Sequence, residues 1–345
     1  MRWLAAWVVW SWLSLLWSSD WRYGIDQFKA TRVLLWIPVL WPLRQRWGHL
    51  VASVVGGALV VGLIQLSQVL LGWPATRWQM GAGFTTPTQT SLWNAVALSY
   101  WLTMAAVARW QVAVVCVAAS TLSACGLVWS AARASFVAIA IEILAVNMVL
   151  AVCHSTWRKR AFVRTAVGGL IIGCCFLLTS STLMKKMTTT VADMQSAVAG
   201  VASDSGDADY RFAMWQMALQ GAANHPLVGV GIGGIPNSIA KHTTVTHRLY
   251  DMSAVTMIHS TYVQVLAETG LIGFALFGCF VVAFFTEALR SVREHPSRIS
   301  ALGAALVWFI AAAFDGYQQS GGFLSVGAIT FVMACRPTPA IHLKS

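Results

Sequence analysis

The chain has 345 residues, of which 57% are hydrophobic and 10% are charged, and its mean hydropathy is +0.66. No soluble domain of this size is expected to be so apolar, so the composition favours helices that cross a membrane. The net charge of +11 is dispersed among loops and forms no basic domain, which argues against nucleic-acid binding. The seven cysteines show no metal-ligand or disulfide spacing, and we interpret them as small hydrophobic residues.

Apolar stretches of roughly 20 residues predict about ten membrane spans. The first is expected to stay as a span, because it lacks the small-residue cleavage site of a signal peptide. Arginines and lysines fall in alternate loops, so the positive-inside rule places those loops and both termini in the cytoplasm. The predicted spans are 3–17, 30–43, 50–71, 90–108, 112–131, 134–153, 164–183, 261–287, 299–314 and 321–335, and the outward loops are 18–29, 72–89, 184–258 and 315–320.

The outward loop 184–258 is much longer than the roughly 12–15 residues beyond which loops are usually functional or disordered. Helical spacing within it predicts a helix over 210–223, with Arg211 and Trp215 on one face. An Asn-His-Pro run that ends at Pro226 is expected to stop this helix, because the residue before a proline avoids the helical region. We expect the helix to lie flat on the membrane, as an amphipathic interfacial helix does. The face next to Arg211 carries Tyr210, Met214, Met217 and Gly221.

Three glycines that follow this helix match the G-x-G-x-x-G spacing of nucleotide-binding loops. They are Gly229, Gly231 and Gly234. No βαβ unit surrounds them, so we interpret them as turns in a segment that returns to the membrane.

Arg133, Arg211 and His259 all map to the outer side of the predicted topology. Each has a structural explanation, since arginines snorkel to headgroups and a lone histidine is common at an interface. Together, however, the three residues could bind a phosphate and accept a proton. Guanidinium groups match phosphate geometry bidentately, and a neutral imidazole accepts a proton near physiological pH. This set suits transfer of a group from a diphosphate donor to a hydroxyl.

Two carboxylates complete the candidate residues. Glu142 lies near the middle of a span, where an ionisable group is a functional candidate by default. A buried structural hydrogen bond explains Glu142 equally well, and we assign it no catalytic role. Asp315, at an outer helix end, is placed where it could orient His259, although the sequence does not show such a contact.

Three segments resemble the O-antigen ligase family of integral membrane glycosyltransferases, which includes lipopolysaccharide ligases and related polysaccharide polymerases. The resemblance covers roughly residues 70–335. One departure is Thr88, which stands where the family usually has an Asn after a proline. The three segments are Ser130-Ala-Ala-Arg133-Ala-Ser-Phe, Tyr210-Arg211 continuing to Gly233, and His259-Ser260 followed by nine residues and Gly270.

The resemblance implies an all-α integral membrane protein with a GT-C-like fold in the bacterial inner membrane, its active site facing the periplasm. It implies metal-independent, inverting transfer of a glycan from undecaprenyl diphosphate to a hydroxyl acceptor such as lipid A-core, without a cofactor. Arg133 and Arg211 would bind the diphosphate, and His259 would take the proton from the acceptor. The expected partners are the lipid-linked donor, a glycolipid or glycan acceptor and membrane lipids, but no nucleic acid.

These motifs do not separate a ligase from a polysaccharide polymerase that extends a glycan on a lipid carrier. A transporter of an anionic lipid-linked glycan is a third alternative, disfavoured because the chain shows no clear internal repeat. One membrane domain is expected overall. Its parts are the N-terminal transmembrane helices 1–183, the periplasmic loop 184–258 and the C-terminal transmembrane helices 259–345.

Overall fold

The structure of the chain is a computed structural model. It describes residues 2–31, 36–71, 87–107, 109–130, 133–153, 207–242, 258–315 and 321–335, with a few positions between 159 and 188. All regular structure in this described part is helical, and no strand occurs in it. The predicted all-α class therefore agrees with every element that the structure describes.

The helices follow the apolar stretches of the sequence. In chain order they are α1 Arg2–Leu13, a 3-10 turn Ser14–Trp17, α2 Trp21–Thr31, α3 Trp36–Leu40, a 3-10 turn Trp41–Arg46, α4 Trp47–Leu70, α5 Pro87–Val107, α6 Trp110–Ser130, α7 Arg133–Cys153, α8 Asp207–Ala223, α9 Ile235–His242, α10 Thr261–Glu294, a 3-10 turn Pro296–Arg298, α11 Ile299–Ala311 and α12 Gly321–Ala334. Among the described residues, three helices are long and apolar enough to cross a membrane: Trp110–Ser130, Ala134–Val152 and Thr261–Glu294. The chain is therefore a membrane protein by composition and helix length, whereas the count of about ten spans stays a prediction.

Helix limits near the N-terminus differ from the predicted limits. Within the predicted span 30–43, residues 30 and 31 belong to α2, and residues 36–43 are divided between α3 and the 3-10 turn that follows it. Pro38 and Pro42 explain the division, because proline lacks a backbone N–H and disfavours a helical residue before it. Most of the predicted outward loop 18–29 is helical and belongs to α2, and its place outside the membrane stays a prediction.

The chain divides into two compact units, and α10 passes from one to the other. The first unit contains Met1–Arg32, Leu178–Ala283 and Ala312–Leu324, and the second contains Val33–Leu177, Phe284–Ala311 and Ser325–Ser345. The three-part division drawn from the sequence stays a prediction.

Glycines in the second unit make room for buried polar side chains between helices. Asn94 on α5 donates a hydrogen bond to Gln65 Oε1 on α4 at 3.0 Å. A Cβ added at Gly126 of α6 would lie 2.7 Å from the Asn94 amide nitrogen, so only glycine fits beside this pair. Glu142 of α7 is fully buried, and its Oε1 would lie 2.5 Å from a Cβ at Gly303 of α11. Small residues thus allow the close, polar helix contacts that are common in membrane proteins.

Candidate functional site

Gly270 breaks α10 within the first unit. Its backbone has φ 67° and ψ −171°, a region that only glycine occupies readily. A break of this kind leaves carbonyls before it and N–H groups after it without intrahelical partners. The segment 226–231 runs beside the break and supplies those partners.

The bonds to the broken helix come from both sides of the break. Leu271 N–H donates to Pro226 O at 2.9 Å and Ile272 N–H to Leu227 O at 3.2 Å, while Val230 N–H donates to Ala267 O and Gly231 N–H to Glu268 O, both at 2.9 Å. The indole N–H of Trp10 donates to Thr269 O at 2.9 Å. Because each unsatisfied backbone group costs several kcal/mol in lipid, the break depends on these partners.

The glycine-rich segment 229–234 is a series of turns whose amides are already occupied. All six of its N–H groups donate to protein atoms: in chain order to His225 O, Ala267 O, Glu268 O, Ser14 Oγ, Glu268 Oε1 and Gly231 O. No N–H of this segment is left to cradle a phosphate. The interpretation of the G-x-G-x-x-G spacing as turns is therefore confirmed.

His259 lies immediately before α10, where Ser260 caps the helix. The Ser260 hydroxyl accepts a hydrogen bond from Val263 N–H at 3.4 Å, and its carbonyl accepts from Gln264 N–H at 3.0 Å. His259 has φ 50°, an uncommon value for a residue with a side chain. This conformation turns the chain into the helix and leaves the imidazole 35% exposed.

The imidazole of His259 contacts a buried carboxylate. Its Nδ1 lies 3.2 Å from Oδ1 of Asp315, and Asp315 is only 7% exposed. The turn 312–315 is held by Thr261, whose N–H donates to Ala312 O at 2.9 Å and to Asp315 O at 3.0 Å. The Thr261 hydroxyl also donates to Asp315 O at 2.9 Å. The structure therefore brings together two residues that are 56 positions apart, a contact that the sequence did not show.

Helix α8 carries Arg211 to the same turn. Arg211 NH1 donates to Phe314 O at 2.6 Å, directly before Asp315 in the chain. One helical turn further on, the indole N–H of Trp215 donates to Ile258 O at 2.9 Å, directly before His259. The prediction that Arg211 and Trp215 share a face is confirmed, and that face borders His259 and Asp315.

The neighbouring face of α8 is packed into the first unit. Met214 and Met217 are fully buried, and they pack with apolar residues of the glycine-rich segment and of α9 and α10. Full burial of one such side chain contributes about 1.5–3 kcal/mol. Met214 and Met217 share a face, as predicted, while the side chain of Tyr210 lies outside the described residues. The helix ends at Ala223, directly before the Asn-His-Pro run, as predicted.

Arg133 and Glu142 both lie on α7, in the second unit. Arg133 is the first residue of that helix, but its side chain lies outside the described residues, so its role stays a prediction. Glu142 is completely buried, and we assign it no catalytic role. In the part of the chain that the structure describes, no group of three His, Cys, Asp or Glu side chains lies close enough to hold a metal ion.

The fold and this site define an all-helical membrane protein in which a carboxylate-backed histidine lies beside an arginine. Residues 118–278, just under half of the chain, match the family described as O-Antigen ligase. The match includes Arg133, Arg211, His259 and Gly270, whereas Asp315 lies beyond it, and it confirms the resemblance drawn from the sequence. It supports O-antigen ligase-type glycan transfer or the related polymerase activity. No curated protein matches the chain.

Proposed function

We propose that the protein transfers a glycan from undecaprenyl diphosphate to a hydroxyl acceptor such as lipid A-core, with inversion and without a metal ion. The reaction takes place at the periplasmic face of the bacterial inner membrane. The observation that carries the proposal is the His259–Asp315 contact beside Arg211, on a segment that matches the O-antigen ligase family.

His259 is the proposed general base. An ionised carboxylate can only accept hydrogen bonds, so Asp315 selects the tautomer in which His259 Nδ1 carries the hydrogen. The lone pair of Nε2 is then directed away from Asp315 and accepts the proton of the acceptor hydroxyl. A histidine oriented by a buried carboxylate follows the same logic as a catalytic triad. General-base catalysis of this kind contributes roughly 10²–10⁴-fold to the rate.

Arg211 is proposed to bind the donor diphosphate. Its bond to Phe314 O fixes one edge of the guanidinium, and the group has five N–H donors in all. Planar donors of this kind bind phosphate oxygens bidentately, and Arg133 is the second diphosphate ligand that the family resemblance implies. Stabilisation of charge on a leaving group is worth about 2.7–4 kcal/mol per donor group.

The chemical step is a single displacement. The acceptor oxygen forms a bond to the anomeric carbon while the bond from that carbon to the diphosphate oxygen breaks. The electron pair leaves with undecaprenyl diphosphate, and the hydroxyl proton moves to His259. Attack on the face opposite the leaving group inverts the anomeric configuration.

A reconstituted transfer assay tests this proposal. Purified wild type, His259→Ala and His295→Ala are supplied with lipid-linked glycan and candidate acceptors, without added metal. His295 is an exposed histidine at the far end of α10 and is the matched control. We expect wild type and His295→Ala to form product and release undecaprenyl diphosphate, and His259→Ala to be roughly 10²–10⁴-fold slower. Undiminished transfer by His259→Ala would show that the base assignment is wrong.

The products of the same assay distinguish the alternatives. Glycan attached to a distinct acceptor identifies a ligase, whereas a ladder of repeat lengths on the lipid carrier identifies a polymerase. Movement of intact donor across the bilayer without covalent product would instead indicate a transporter.

A further inference from the structure

A small pocket opens in the first unit beside the glycine-rich segment 229–234. Its volume is about 260 Å³, and its side-chain lining is Trp17, Ser19, His225, Asn237 and Ser238, with Val228 and Val230. Pockets for drug-sized ligands have about 300–1,000 Å³, so this pocket suits a single ring.

The pocket is separated from His259 by the first part of α10. The N–H of Gly231, in the segment beside the pocket, donates a hydrogen bond to the carbonyl of Glu268. Glu268 lies eight residues after Ser260, which caps α10. At 1.5 Å per residue, this separation is roughly 12 Å along the helix axis. A group in the pocket therefore lies away from the bond that reacts at His259.

The chemistry of the described lining favours a neutral polar ring over a phosphate. Among the residues that the structure describes, no Lys or Arg side chain lines the pocket, and all six amide N–H groups of 229–234 donate to protein atoms. Trp17 is 37% exposed and offers an aromatic face. Asn237, whose Nδ2 donates to Ser19 O at 3.4 Å, adds an amide, and His225 adds an imidazole.

Ser238 gives an independent sign of a ligand. Ser238 lines the pocket, and its hydroxyl oxygen is buried and has no hydrogen-bond partner in the part of the chain that the structure describes. Buried polar atoms are nearly always hydrogen-bonded, so a buried hydroxyl of this kind calls for a partner. Rotation of the Ser238 side chain toward the pocket would let the hydroxyl group of a ligand supply that partner.

We propose that this pocket is a distal sugar subsite, which holds one ring of a glycan while the reacting end of the chain lies at His259. A sugar ring has a face of C–H groups that packs on an indole, and an edge of hydroxyls that bonds to amides, imidazoles and hydroxyls. Its identification as part of the transferred or accepting glycan rests on the proposed function.

Saturation-transfer NMR with simple glycosides tests the subsite without requiring any reaction. The full-length protein in detergent micelles is mixed with methyl glycosides of glucose, N-acetylglucosamine and rhamnose. The variants are Trp17→Ala, Asn237→Ala and the control Trp12→Ala, since Trp12 is 52% exposed and does not line the pocket. We expect saturation of ring protons in at least one glycoside with wild type and Trp12→Ala, and a several-fold smaller effect with the other two variants.

Two results would overturn the subsite: no saturation of any glycoside by the wild type, or equal saturation by all four proteins. Asn237→Ala keeps the experiment informative if Trp17→Ala does not fold, because Asn237 is an exposed residue on α9.

Kinetics in the transfer assay separate this proposal from the proposed function. Trp17→Ala is expected to raise KM for the glycan roughly three- to tenfold and to leave kcat nearly unchanged, because the lost contact is the same in ground and transition states. If Trp17→Ala keeps the wild-type KM and the NMR experiment shows no glycoside binding, the subsite is rejected and the transfer activity is unaffected. Glycoside binding that is sensitive to Trp17, in a protein that forms no product, would instead count against the transfer function alone.

Discussion

Replacement of Asp315 by Asn removes the charge behind His259 and preserves the backbone that holds it. The Asp315 carbonyl accepts both hydrogen bonds from Thr261, and these bonds do not involve the side chain. An Asn side chain can donate to Nδ1, which places the imidazole hydrogen on Nε2 and removes the proton acceptor. We expect kcat to fall roughly 10²–10⁴-fold, which corresponds to about 2.7–5.4 kcal/mol of transition-state stabilisation.

A double-mutant cycle measures whether Asp315 acts through His259. Transfer rates are compared for wild type, Asp315→Asn, His259→Ala and the double variant, with Asp26→Asn as an exposed control. If the carboxylate only orients and stabilises the imidazole, Asp315→Asn has no further effect once His259 is absent. Independent, multiplicative losses would refute this reasoning, as would full activity of Asp315→Asn.

Three further changes test other parts of the structure. Gly270→Ala is expected to destabilise the protein by about 1–3 kcal/mol or more, because alanine is strained at φ 67° and its Cβ would overlap a backbone carbonyl. Thermal unfolding in detergent should show no loss of stability for the control Gly278→Ala, whose Cβ meets nothing within 4 Å. Arg211→Lys keeps the charge but loses the planar donors of the guanidinium, so we expect roughly 10²-fold slower glycan transfer with normal membrane insertion. Full turnover by Arg211→Lys would contradict bidentate phosphate binding. Gly303→Ala should lower stability by about 1–3 kcal/mol by crowding Glu142, and an unchanged melting temperature would show that this contact tolerates a methyl group.

Local patterns in the sequence were sufficient to predict α8 and its two faces. The Asn-His-Pro run marks its end because proline constrains its predecessor, and helical spacing separates the buried Met214 and Met217 from Arg211 and Trp215. Such features depend on residues within a few positions of one another, which is the range over which sequence spacing carries structural information.

Contacts between distant segments could not be predicted in the same way. The stretch 261–287 is mostly apolar and resembles a continuous span. Glycines are frequent in membrane helices, so the sequence did not mark Gly270 as a break. The break exists because the segment 226–231 satisfies its backbone groups, and that pairing is tertiary. The contact between His259 and Asp315 likewise depends on the turn after α11.

The pairing at Gly270 also has a consequence for biogenesis. Residues 226–231 leave the ribosome before residues 267–272, so the partners of the broken backbone are already present when the interrupted segment is inserted. A circular permutation that reversed this order would deliver an interrupted helix to the lipid with its amides and carbonyls unpaired. The order of these two segments along the chain therefore favours orderly co-translational assembly of the first unit.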